Sequence, residues 1–139
     1  MADTIFDALP ANLEKVVMAH ILIMEDDDLL RNTLVRSLIY LGYQVSAYDD
    51  AEPALQSVDP TTIDLVVTDL RMPTRGSEAI RTLREKGFTK PILIISGYVV
   101  PRDIAHLKAM GANDVLLKPF GVSELGEVLH RLLEPAETP

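Results

Sequence analysis

Four short apolar runs in this sequence each end in polar side chains that could take part in chemistry. Glu25 and Asp26 follow the run ILIM, and Asp69 closes the run DLVVTD. Ser96 closes the run ILIIS, and Lys118 follows the run VLL. Carboxylates that crowd together repel one another unless they bind protons or a cation. Because these oxygen ligands have no His or Cys nearby, they suit a hard ion such as Mg²⁺.

Together these groups predict a pocket for a phosphoryl group. A metal ion and the ammonium of Lys118 would neutralise the developing charge, and the hydroxyl of Ser96 would donate a hydrogen bond. The free oxygen of Asp69 would then attack phosphorus in line. Each residue taken singly has an ordinary explanation, such as a helix cap for Asp27 or Asp28. The prediction therefore depends on matching chemistry at four strand ends at once.

The hydrophobic pattern predicts the elements that must position these groups. Short apolar runs predict five strands, and longer amphipathic segments predict helices between them. The predicted strands cover residues 21–24, 43–47, 63–67, 92–95 and 115–117. The predicted helices cover residues 30–41, 51–58, 77–86, 101–110 and 123–133. Glycines 42, 87 and 111 are placed to end the first, third and fourth helices.

Strict alternation of strands and helices predicts an α/β fold with a doubly wound, five-stranded parallel sheet. The segment 43–47 alternates polar and apolar residues, which favours a position at the periphery of the sheet. Ligands of such folds bind at the carboxyl ends of the strands. We therefore expect the acids, the hydroxyl and the ammonium to meet at one edge.

Composition limits the class of protein. The chain has 139 residues, of which 47% are hydrophobic and none is Cys, so we expect one packed domain without disulfides. A formal net charge of -8 disfavours non-specific binding to nucleic acids. No apolar run reaches the ~20 residues that cross a bilayer. We expect a soluble, cytoplasmic domain at residues 19–134, an N-terminal extension at 1–18 and a disordered tail at 135–139.

The motifs ILIMEDD, DLVVTDLRMP, ILIISG and GANDVLLKPF occur in this order along the chain. Their order and spacing resemble those of response-regulator receiver domains, the phosphoacceptor modules of two-component signalling. The resemblance covers about residues 19–134. It implies a flavodoxin-like (βα)5 fold with the strand order 2-1-3-4-5.

The resemblance also implies a role for each polar residue. Asp69 would accept a phosphoryl group from a phosphohistidine on a sensor histidine kinase or a histidine phosphotransfer protein. Ser96 and Lys118 would contact the phosphoryl oxygens, and the bond from Lys118 to Pro119 would be cis. Such a protein is a switch that hydrolyses its own acyl phosphate slowly, rather than a turnover enzyme.

The same resemblance implies a magnesium site. Glu25 and Asp26 would help to hold Mg²⁺, together with Asp69 and the backbone carbonyl of Arg71. A single-domain receiver of this kind would signal by contact with a downstream protein that the sequence does not name, or by forming a homodimer. Neither direct binding to nucleic acid nor binding to a membrane is expected.

Two departures from the family pattern leave alternatives open. The family usually reads MPxxDGxE after the acceptor, whereas this chain reads MPTRGSE, which is one residue shorter and lacks the Asp. The family usually has Tyr or Phe three residues before the lysine, whereas this chain has Val115. These departures favour, as the alternative, a pseudo-receiver that binds partners without phosphorylation. A Mg²⁺-dependent phosphatase for small molecules is disfavoured, because the chain is too short to include a cap over a substrate.

Overall fold

A computed structural model describes residues 19–134 except residues 73, 98 and 100. The predicted extension at 1–18 and the predicted tail at 135–139 lie outside the described residues. The strands are β1 His20–Met24, β2 Gln44–Tyr48, β3 Leu65–Asp69, β4 Ile92–Ser96 and β5 Asp114–Leu117. The helices are α1 Asp28–Tyr40, α2 Ala51–Ser57, α3 Gly76–Glu85, α4 Pro101–Met110 and α5 Val122–Leu133.

The five strands form one sheet in the order β2-β1-β3-β4-β5, and all neighbouring pairs are parallel. This confirms the predicted fold class and strand order. The central strands β1, β3 and β4 are almost wholly buried, as continuous apolar runs require in a sheet covered on both faces. The alternating segment forms the edge strand β2, which is partly exposed.

Helices cover both faces of the sheet, and the alternation of side chains along each strand decides which layer they meet. From β1, Ile21 and Ile23 pack in a core with α1 and α5, to which Leu34 and Leu129 belong. Leu22 and Met24 point to the other face, where Ala54, Ile80 and Leu107 bring in α2, α3 and α4. Two apolar cores therefore hold the sheet between them.

The start of β3 differs from the prediction. The strand was expected at residues 63–67, but residues Pro60–Thr62 form a 3₁₀ turn and β3 begins only at Leu65. The side chain of Asp59 accepts a hydrogen bond from the backbone N–H of Thr61 at 2.9 Å, which caps this turn. At its other end β3 extends to Asp69, so the acidic residue is the last residue of the strand.

Several local predictions are confirmed. The side chain of Asp27 caps α1 by accepting a hydrogen bond from the N–H of Leu30 at 3.0 Å. The backbone φ is positive at three glycines that follow helices, Gly42, Gly87 and Gly111. The peptide bond between Lys118 and Pro119 is cis. Among the described residues, no helix has the length and apolar character needed to cross a membrane.

Candidate functional site

The carboxyl ends of β1, β3, β4 and β5 bring the predicted residues to one edge of the sheet. Glu25 follows β1 directly, and Asp69 and Ser96 end β3 and β4. Register aligns these ends, because Asp69 pairs with Ile95 and Ser96 pairs with Leu117. Lys118 comes next after β5, so residues distant in sequence face one another across neighbouring strands.

Three carboxylates form a cluster at this edge. Glu25, Asp26 and Asp69 each offer one oxygen, and these oxygens all lie within 4.8 Å of one another. Glu25 is fully buried and Asp69 is 5% exposed, whereas Asp26 is exposed. The cluster therefore reaches from the interior to the surface. Oxygen ligands at this spacing fit a hard divalent cation such as Mg²⁺.

The ammonium of Lys118 bridges two of the acids. Its Nζ donates hydrogen bonds to Oδ2 of Asp69 at 2.7 Å and to Oε1 of Glu25 at 3.0 Å. Burial of Lys118 opposes its charge, but the two hydrogen bonds and the negative charge of the acids outweigh it and raise its pKa. Lys118 therefore stays charged, with the cation directed at the carboxylate of Asp69.

The burial of Glu25 has an electrostatic consequence. Removal from water raises its pKa to about 7, although Lys118 and the backbone N–H of Asp27 both donate hydrogen bonds to it. The charge of Asp69 also raises this pKa. Burial thus favours the neutral form of Glu25 over its charged form.

Two hydroxyl residues line the strand ends. Ser96 is buried, and its backbone carbonyl accepts a hydrogen bond from the N–H of Lys118 at 2.8 Å. This contact fixes the start of the segment that carries the ammonium. Thr68 is also buried, and its hydroxyl donates to the carbonyl of Asp69 at 3.0 Å. Thr68 cannot be recognised from the sequence, because a lone Thr inside a strand has no distinguishing pattern.

The segment after Asp69 turns back tightly on the strand. The N–H of Arg71 donates to Oδ1 of Asp69 at 3.1 Å, and the N–H of Gly76 donates to the carbonyl of Leu70 at 3.1 Å. Arg75 occupies the position before α3 and makes no side-chain cap. The helix α3 thus begins without a side-chain cap.

An unexpected pair of residues holds the same segment. Both the N–H and the hydroxyl of Thr74 donate to the carboxylate of Asp50, each at 2.8 Å. Partial burial disfavours the charge of Asp50, but the hydrogen bonds from Thr74 outweigh this effect and lower its pKa. The sequence gives no signal for this contact, because the two residues are 24 positions apart.

Comparison with known proteins decides the family. Residues 21–130 match the model of the response regulator receiver domain family. The chain belongs to this family. Receiver domains interact with histidine kinases or phosphotransfer proteins, and they generally bind Mg²⁺ at an acidic site. The acidic cluster of this receiver agrees with that property.

Individual relatives agree with the family assignment. The two-component response regulator PhoP of Pseudomonas aeruginosa is 40% identical over 114 residues, which cover 81% of this chain and 51% of PhoP. This receiver thus spans about half the length of that relative. The solved chemotaxis protein CheY4 of Vibrio cholerae is 29% identical, with a TM-score of 0.79, over 84% of this chain and 99% of CheY4.

A second solved structure holds a metal ion. It is the receiver domain of the sensor histidine kinase PA1611 from Pseudomonas aeruginosa PAO1, with magnesium coordinated in its active-site cleft. It is 28% identical to this receiver, with a TM-score of 0.75, over 84% of this chain and 98% of that one. The fold that surrounds such a cleft is therefore the fold of this receiver.

Proposed function

We propose that this receiver accepts a phosphoryl group on Asp69 from a phosphohistidine donor and signals by protein–protein contact. The donor is a sensor histidine kinase or a histidine phosphotransfer protein. The observation that carries the proposal is the 2.7 Å contact between Nζ of Lys118 and Oδ2 of Asp69 beside the carboxylates of Glu25 and Asp26. A carboxylate, a fixed cation and a cation-binding cluster are the groups that phosphoryl transfer to an aspartate requires.

The proposed step moves the phosphoryl group from nitrogen to oxygen. The bond between phosphorus and the donor imidazole breaks, and a bond forms between phosphorus and a carboxylate oxygen of Asp69. The electron pair of the broken bond stays on the imidazole nitrogen. Lys118 stabilises the negative charge on the phosphoryl oxygens during the transfer, because its ammonium already faces the attacking group. Ser96, at the end of the neighbouring strand, supplies a further polar contact in this proposal.

Mg²⁺ fits the cluster and supplies further positive charge to the phosphoryl oxygens when it is bound. Glu25, Asp26 and Asp69 would hold it, together with the backbone carbonyl of Arg71. The magnesium found in the receiver of PA1611 supports this assignment.

In this proposal the protein acts as a switch rather than as a turnover enzyme, and it is located in the cytoplasm. The acyl phosphate on Asp69 would be hydrolysed slowly by the receiver itself, which ends the signal. The single-domain architecture stays a prediction, because the chain matches almost all of CheY4 but about half of PhoP. The downstream protein and the homodimer also stay predictions.

Beryllofluoride tests the proposal directly, because it mimics a phosphoryl group on a carboxylate. We expect the wild-type chain to bind beryllofluoride only with Mg²⁺, as followed by amide shifts in NMR spectra. Asp69→Asn should not bind it, whereas Asp103→Asn, a matched change of an exposed acid on α4, should bind as the wild type does. Mass spectrometry after acetyl phosphate treatment should find the phosphoryl group on Asp69.

The pseudo-receiver is the second candidate, and two observations favour it. The entry to α3 lacks a side-chain cap, and Val115 is present where the family pattern has an aromatic residue. If the wild-type chain binds no beryllofluoride in the presence of Mg²⁺, this candidate replaces the first. The contact between Lys118 and Asp69 argues against it, because a module that works without phosphate does not need this arrangement.

A further inference from the structure

The side chain of Asp50, from another part of the fold, hydrogen-bonds to the segment between β3 and α3, residues 70–75. Oδ1 of Asp50 accepts from the N–H of Thr74 and Oδ2 accepts from its hydroxyl, each at 2.8 Å. Asp50 precedes α2, in a different part of the fold, and makes no side-chain cap on its own helix. Two bonds from one carboxylate to one residue fix the orientation of Thr74 as well as its position.

Apolar packing also restrains this segment, because the side chain of Met72 is buried in the core that contains Leu22 and Met24. Among the described residues, the carboxylate of Asp50 is the only side chain outside β3 that hydrogen-bonds to it. At its far end, Arg75 provides no cap for α3. The backbone bond from Gly76 to Leu70 closes the segment but does not fix where its middle lies. The apolar packing of Met72 and the hydrogen bonds between Asp50 and Thr74 therefore position the segment together.

The same segment carries a group that the proposed magnesium site needs. Arg71 follows Asp69 by two residues and is tied to it by the bond from its N–H to Oδ1 at 3.1 Å. Mg²⁺ demands ligands at about 2.0–2.1 Å in a nearly octahedral arrangement, so a small shift of one ligand weakens binding. Restraint of residues 70–75 thus bears directly on the affinity for the ion.

We propose that Asp50 and Thr74 are positioning residues that hold the segment 70–75 so that the backbone of Arg71 can contribute to Mg²⁺ binding beside Asp69. This inference rests on the proposed function. The hydrogen bonds between Asp50 and Thr74 restrain a segment that is one residue shorter than the family pattern and that leads into a helix without a side-chain cap. Neither residue touches the acidic cluster, so both act through the backbone.

The test measures the dissociation constant of Mg²⁺ by isothermal titration calorimetry, with thermal unfolding recorded on the same samples. Asp50→Ala should weaken Mg²⁺ binding about tenfold, as loss of an outer-shell partner does. Thr74→Val removes the hydroxyl but keeps the N–H, so its effect should be smaller. Thr74→Ser keeps both hydrogen bonds and should bind within about twofold of the wild type. Asp50→Asn keeps the bond from the N–H of Thr74 to Oδ1, and its amide nitrogen can donate to the hydroxyl of Thr74, so this variant should bind more tightly than Asp50→Ala.

The chain contains a matched control pair. Oδ1 of Asp59 accepts hydrogen bonds from the N–H and the hydroxyl of Thr61 at 2.9 and 2.8 Å. This pair belongs to the 3₁₀ turn that precedes β3, at the end of the strand opposite to the proposed site. Asp59→Ala should lower the thermal stability and leave the affinity for Mg²⁺ unchanged. Comparison of Asp59→Ala with Asp50→Ala thereby separates a general loss of stability from a loss of positioning of the segment 70–75.

The outcomes distinguish the inference from the function on which it rests. If the wild type binds no Mg²⁺, the proposed function fails and the inference fails with it. If the wild type binds Mg²⁺ and Asp50→Ala binds it equally well, the inference alone is overturned. Should Asp50→Ala not fold, Thr74→Val decides, and an affinity equal to that of Thr74→Ser overturns the inference.

Discussion

A Cβ atom on Gly76 would overlap the backbone carbonyl oxygen of Asp69. It would also lie 2.9 Å from Cα of Leu70, and backbone atoms cannot move aside as the end of a flexible side chain can. Glycine is therefore required here by a close approach of two backbone segments. The short segment after β3 brings the start of α3 directly against the proposed phosphoacceptor.

Gly76→Ala should therefore disturb the proposed site as well as the fold. We expect the free energy of unfolding to fall by about 1–3 kcal/mol, as overpacking does, and Mg²⁺ binding to weaken. The control is Gly126→Ala inside α5, where a Cβ would make ordinary contact with the side chain of Leu41 at 3.5 Å. That variant should be more stable by about 0.5–1 kcal/mol. Urea unfolding checks both, and a Gly76→Ala protein as stable as the wild type would contradict the steric argument.

Lys118→Met should make stability more dependent on Mg²⁺. The change leaves the carboxylates of Glu25 and Asp69 without the ammonium that now lies between them. Without Mg²⁺ we expect a loss of about 1–3 kcal/mol, since buried charges lose their partner. Mg²⁺ should then raise the melting temperature more than it does in the wild type, because a ligand of the native state stabilises it by mass action.

Lys108→Met provides the comparison for that experiment, because Lys108 is exposed on α4. Its response to Mg²⁺ should equal that of the wild type. Differential scanning calorimetry with and without the ion gives both measurements. An equal Mg²⁺ response in Lys118→Met and the wild type would refute the prediction.

Stability should depend on the charge of Asp50. Hydrogen bonds from Thr74 outweigh the effect of burial and lower the pKa of Asp50 in the folded state from 3.8. A lowered pKa contributes stability above the unfolded-state value, and this contribution is lost as the pH falls through the folded-state value. Asp50→Asn should therefore be less stable than the wild type at pH 7, and the difference should disappear in acid below pH 3.8. Unfolding curves from pH 7 to pH 2 measure this, and a difference that grows in acid would have the wrong sign.

Arg84 should be important for stability but not for the site. Its guanidinium donates to the backbone carbonyls of Phe88, Lys90 and Gly111 at 2.7–3.2 Å and to the side chain of Asn113 at 3.0 Å. Arg84→Ala leaves these acceptors without their donor, so we expect a loss of about 2–3 kcal/mol.

The matched change for that prediction is Arg81→Ala, at an exposed position of the same helix. It should alter the free energy of unfolding by less than about 0.5 kcal/mol. Chemical denaturation measures the stability of both variants, and calorimetry measures their Mg²⁺ binding. Because Arg84 binds the segments that lead into β4 and β5, far from the strands' carboxyl ends, its loss should leave the affinity for Mg²⁺ unchanged.

The sequence by itself determined the order of the elements, the parallel sheet and which polar residues come to its carboxyl edge. Apolar runs, amphipathic spacing and the glycines that end helices act within a few residues, so they can be recognised along the chain. A cap at Asp27 or Asp28 could be recognised for the same reason, and the structure assigns it to Asp27, whose partner Leu30 lies three residues away. The start of β3 was missed by two residues, because Ile63 continues the apolar pattern of the strand but closes the preceding 3₁₀ turn by donating its N–H to the carbonyl of Pro60.

Tertiary structure alone decided the contacts that give the site its detailed form. Lys118 lies between Glu25 and Asp69, and Asp50 holds Thr74, although these partners are separated by 24 to 93 positions. Whether such side chains meet depends on strand register and on how helices pack against the sheet, which no local pattern records. The sequence shows which groups are available. The distances between these groups, and the electrostatic interactions among them, arise only when separate elements pack together.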